Sequence, residues 1–75
     1  MKKKDVYEVG DEVCTHITGM VGDFRAKVIR YDTRYSDTST QPVLEVLDKE
    51  TGEKDPSWQQ VLKSGDHIIR GIWGT

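Results

Sequence analysis

The chain has 75 residues, which allows one domain with a small core. Apolar residues make up 35 %, with no run long enough for a helical membrane span or a signal peptide. The net charge of −2 excludes a broadly cationic, nucleic-acid-coating surface and leaves only a local basic strip to consider. Eight Val and five Ile stand against three Leu and a single Ala, so the apolar set suits pleated strands rather than helices. Cys14 is the one cysteine and has no partner for an internal disulfide. A lone thiol fits a reducing interior, so a cytoplasmic location is expected.

Residues 1–8, opening Met1-Lys2-Lys3-Lys4-Asp5, read as a solvated, flexible N-terminal segment, and 9–75 as one β domain. Three Gly-Asp pairs, Gly10-Asp11, Gly22-Asp23 and Gly65-Asp66, each precede an apolar alternating run. Glycine reaches positive φ freely and Asp bonds nearby backbone N–H groups, so each pair marks a turn. The first strand is expected over Glu12 to Thr18, with Val13, Thr15 and Ile17 on one face. The second runs from Asp23 or Phe24 to Tyr31, with Phe24, Ala26 and Val28 opposite Arg25 and Lys27. Ile29 and Tyr31 then fall on the charged side, which a bulge near Val28 to Arg30 would correct.

Thr33 to Gln41 is polar and aperiodic and reads as a long loop, closed by Pro42 at the start of an edge strand. A third strand covers Val43 to Leu47, and Asp48 to Lys54 is a turn with Gly52 at its tight position. A fourth, short strand is expected around Trp58 to Val61. The alternative there is one short helical turn over Pro56 to Leu62, since Pro56 suits a first helical position. The last strand is His67 to Trp73. The pattern predicts an all-β domain, a five-stranded, partly open barrel. Its expected core is Val13, Ile17, Phe24, Ala26, Val28, Leu44, Val46, Val61, Ile68 and Ile72.

Val9-Gly-Asp-Glu-Val13 followed by Gly22-Asp-Phe-Arg-Ala-Lys-Val-Ile29 resembles the opening of SH3-like barrels of the Tudor and chromo-barrel kind. The match spans about 24 residues, mainly core and turn positions, so it bears on fold more than on function. The aromatic-Gly-Asn turn of Tudor proteins is replaced here by Thr51-Gly52-Glu53, and the chromo-barrel Trp-Asp-x-Trp pattern is absent. The layout also resembles the plasmid-borne dihydrofolate reductases, an enzymatic use of such barrels. Their Val-Gln-Ile-Tyr motif is not found at Ser57-Trp58-Gln59-Gln60-Val61.

Three sets of residues are candidates for function. Tyr31, Arg34, Tyr35 and Trp58 would form an aromatic face for a protein or peptide partner, as strand-end aromatics do in the barrels this chain resembles. The competing reading makes Tyr31 and Trp73 plugs at the barrel ends, with Trp58 sealing the underside of the barrel. Arg25, Lys27, Arg30 and Arg34 form a basic row able to meet phosphates, or else a solvated face with Glu12, Glu45 or Asp48 as cross-strand partners. Cys14 and His16 share a face, but a structural zinc wants four ligands, and no metal or other cofactor is expected. No arrangement of nucleophile, base and acid stands out. The reading that follows is a non-catalytic binding module for a protein or peptide. Nucleic-acid binding through the basic row is one alternative, and homo-oligomeric assembly through an exposed strand edge is another.

Overall fold

The computed structural model describes residues 7–31, 42–63 and 65–74. It contains four strands, β1 (Glu12–Ile17), β2 (Asp23–Tyr31), β3 (Pro42–Leu47) and β4 (His67–Ile72). They form one open antiparallel sheet in the order β3-β2-β1-β4. The described residues contain no helix. Polar–apolar alternation sets the faces. In β1 and β2, Val13, Ile17, Ala26 and Val28 all turn to the core side. The β2–β3 register shifts between Val28 and Arg30, as the misplaced Ile29 and Tyr31 required. The shift returns Tyr31 to the core and leaves Arg30 exposed.

Two of the Gly-Asp turns are built alike. The Asp11 N–H donates to the Glu8 carbonyl, and the Asp11 carboxylate takes the Glu8 N–H at 2.9 Å. Asp66 repeats both bonds with Lys63. The third pair differs: Gly22, at φ 84°, turns the β1–β2 hairpin, and Asp23 already belongs to β2. The chain is engaged from Tyr7 onward, since Tyr7 packs against the core and Glu8 is tied into the first turn.

The expected fourth strand does not form at Trp58 to Val61, nor does the helical turn over Pro56 to Leu62. Leu44 and Leu62 instead exchange both backbone hydrogen bonds, at 2.9 and 2.7 Å, and Leu47 bridges Lys54. Asp55 donates to Val46 at 3.1 Å. Val46 and Leu44 are two positions apart, whereas Asp55 and Leu62 are seven apart, so the intervening chain must loop out. It does so at Asp55-Pro56-Ser57-Trp58. The Asp55 carboxylate accepts the Ser57 N–H at 2.8 Å, and the Trp58 N–H reaches the Asp55 carbonyl at 3.1 Å. Pro56 has no N–H to give a ladder, which is the local reason that pairing stops.

The core cluster is Val13, Ile17, Ala26, Val28, Leu44, Val46 and Leu62, with Tyr7, Phe24, Tyr31, Trp58, Ile69 and Ile72 packed against it. Two expected core residues, Val61 and Ile68, fall outside the core cluster, and two more, Phe24 and Ile72, are half-buried beside it. Val61 is half-buried, and its neighbour Leu62 points inward instead because it is Leu62 that bridges to Leu44. Ile68 is 57 % exposed, since Ile69 takes the inner face and consecutive strand residues cannot share one. Phe24 is half-buried, lying at the sheet end with Trp58 against it. Thr15 is fully buried and satisfied, its hydroxyl donating to the Ile68 carbonyl at 2.9 Å.

Candidate interaction site

The basic row does not stand free. Arg25 Nε donates to Glu12 Oε1 at 2.6 Å, and its Nη2 pairs with the same oxygen. Nη1 reaches the Lys49 carbonyl at 3.3 Å, and the guanidinium lies 5.6 Å from the Trp73 ring centre. Gly52, at φ 75°, lets the 48–53 turn come down onto this group. A Cβ there would stand 2.8 Å from Arg25 Nη2. The turn is held by Asp48, whose carboxylate accepts the N–H groups of Glu50 and Thr51 at 2.8 and 3.1 Å. Those bonds, Thr51 first, hold the Asp48 carboxyl below its ordinary pKa. Lys27 sits in register between Glu12 and Glu45, and Glu45 also meets Lys54 at 3.5 Å. The face is therefore an interleaved charge pattern, with Arg30 alone of the described trio standing exposed at the bulge.

The aromatic set divides. Tyr31 and Trp58 both pack against the core cluster, and Trp58 meets Phe24 edge-on, with ring centres 6.0 Å apart at 77°. Much of their area is thus spent inside the fold. Arg34 and Tyr35, with the rest of the expected loop over Thr33 to Gln41, lie outside the described residues. Cys14 is buried, and burial, then the Asp23 charge, pushes its thiol pKa up. His16 Nδ1 lies 3.3 Å from the Gly22 carbonyl. Among the described residues no three His, Cys, Asp or Glu side chains converge as a metal site would require.

The two edges of the sheet differ. Along β3 the outer side is taken by residues 53–62 at both ends. No strand pairs on the far side of β4 among the described residues. The Thr18 N–H bonds the Asp66 carbonyl at 2.8 Å, and Thr15 reaches the Ile68 carbonyl. In an antiparallel ladder bonding groups alternate sides, so Asp66 and Ile68 face β1 while His67 and Ile69 direct their N–H and C=O outward. The β1–β4 register shifts between Cys14 and Thr15, which makes Arg70 the extra residue of a bulge. Ile68 is opposite His16 and shares the outer face with Asp66, whose register partner is Thr18. Other exposed apolar side chains, Val9, Met20 and Val21, belong to turns; Ile68 lies within a strand.

Sequence reasoning placed Ile68 in the core, gave Asp66 a part only in its turn and gave Arg70 none. The signal was present in Ile68-Ile69: two adjacent Ile in a strand must point to opposite faces.

Three comparisons bear on identity. A scan against protein-family models, a search of curated proteins and a search of solved structures each found no match. No helix among the described residues is long and apolar enough to cross a membrane.

Proposed function

We propose that this chain is a non-catalytic binding module that takes up an extended segment of a protein on the open β4 edge. One observation carries the reading: among the described residues β3 has its outer side occupied by 53–62, whereas β4 has no strand on its outer side and an exposed Ile68. Added strands gain main-chain hydrogen bonds along such an edge and specificity from alternate side chains. The finer fold reading, an SH3-like partly open barrel, is supported by the resemblance in residues 9–32 and by 53–62 lying along β3 where a strand would close it.

Nucleic acid is the weaker reading, because Arg25 already has Glu12, the Lys49 carbonyl and Trp73 as partners. Extended peptides selected from a random displayed library provide the test, by amide-shift mapping on the labelled chain. Selected peptides should move the His67 to Arg70 amides and lose binding in Ile68→Lys. Shifts centred on Tyr31 and Trp58, or on Lys27 and Arg30, would move the site to one of the other two faces.

A further inference from the structure

We infer that the strand this edge takes up is the β4 of a second copy, paired antiparallel about a two-fold axis through Ile68. The inference rests on the open-edge reading and names its occupant. The bonding phase limits the choices. Only His67 and Ile69 offer outward groups in the regular half of β4, so a paired strand must set them against each other.

Three two-fold arrangements satisfy this. An axis at His67 or at Ile69 places one bonded pair on the axis and sets Ile68 against a charged side chain, Asp66 or Arg70. An axis at Ile68 uses both groups, with His67 of each copy bonded to Ile69 of the other. Ile68 then faces its own mate in the closer, non-hydrogen-bonded position. The same register places Asp66 opposite Arg70 of the other copy, twice. The order Asp66-x-Ile68-x-Arg70 is therefore self-complementary: an apolar centre flanked by opposite charges that meet across the axis. Asp66 and Arg70 are both exposed, and Ile68 is 57 % exposed, so all three are available. One oxygen of the Asp66 carboxylate accepts the Lys63 N–H, and the other has no hydrogen-bond partner among the described residues.

Closure follows from the rest of the sheet. A two-fold contact uses the same patch on both copies, and the other edge is occupied by residues 53–62, so growth stops at the dimer. The bulge at Arg70 ends regular pairing beyond that residue, which keeps the interface short and the dimer weak.

The test is sedimentation of the full chain over roughly 10 µM to 1 mM, the range in which a small interface fills. The parent should pass from one to two copies, and Ile68→Lys should stay at the mass of one copy with an unchanged melting temperature. Asp66→Arg and Arg70→Asp each set like charges across the axis, so each alone should dimerise at least tenfold more weakly. Mixed in equal amounts, the two variants should regain dimer, because each then supplies the charge the other lacks. That recovery also shows that both variants fold.

A parent that remains at one copy throughout would overturn the dimer. The edge reading would then stand or fall on the selected peptides. A dimer untouched by Ile68→Lys, or variants that do not recover on mixing, would place the contact elsewhere and overturn this register.

Discussion

Arg25 lies across the outer face of the sheet because Gly52 and Glu12 leave it room and charge to do so. Its side chain is 18 % exposed and that of Glu12 38 %. An exposed ion pair contributes about 0–1 kcal/mol, but one shielded on one side and forked onto a single oxygen belongs above that range. A double-mutant cycle with Arg25→Ala and Glu12→Ala should give a coupling of about 1–2 kcal/mol that shrinks with added salt. A coupling near zero at low salt would mean that the guanidinium is held by packing against Trp73 instead.

His67 offers a second check at this scale. Its Nδ1 is 3.1 Å from the Lys63 carbonyl, which can only accept, so that nitrogen carries the proton. Burial holds the imidazole pKa below its ordinary value, outweighing the Lys63 bond and the Asp66 charge, which raise it. The unfolded chain therefore takes up its proton first as pH falls. The contribution of neutral His67 is complete above the unfolded value of about 6.5 and is lost as pH drops toward the lower folded one. Chemical denaturation from pH 7.5 downward should show stability falling in that window, and His67→Gln should flatten the fall. An unchanged slope in the variant would assign the loss to other groups.

At the scale of elements, residues 53–62 do a strand's work without being one. They satisfy β3 at its two ends and place Leu62 in the core, while Pro56 and the Asp55 turn spend the surplus length. The energetic weight should follow the bridge, not the alternation. Leu62→Ala should cost about 2–5 kcal/mol, as for a buried leucine, and Val61→Ala under about 1 kcal/mol. Equal costs, measured by urea unfolding, would mean that both side chains share the core and that the bridge to Leu44 is not what orients the segment. Phe24 and Trp58 close the same end of the sheet, each covering the other where neither is covered by a strand.

At the scale of the whole molecule, local pattern and long-range placement divide cleanly. Four strands, the Gly-Asp turns and the bulge in β2 were legible in the sequence, because each depends on residues within a few positions of one another. Alternation alone says that Val13, Ile17, Ala26 and Val28 share sides with their neighbours. The shift at Val28 to Arg30 follows from Tyr31 falling on the wrong face. Alternation does not say which strand lies at the edge, and that is where the chain's candidate site is found. Whether Ile68 or Ile69 meets water depended on β4 pairing with β1, more than fifty residues away in sequence. Alternation left Arg25 either free to meet phosphate or paired across strands, and the Glu12 pair with the 48–53 turn folded onto it decides for pairing. Leu62 displaced Val61 because backbone bonds to Leu44, not side-chain period, set that segment's orientation. The sequence by itself determined the β character, the turns and the face pairing within strands, since these are settled by backbone sterics and by the two-residue period. The tertiary structure decided which edge has no partner strand among the described residues, which charges are already spent and which apolar side chain is left over, since those depend on contacts closed between distant parts of the chain.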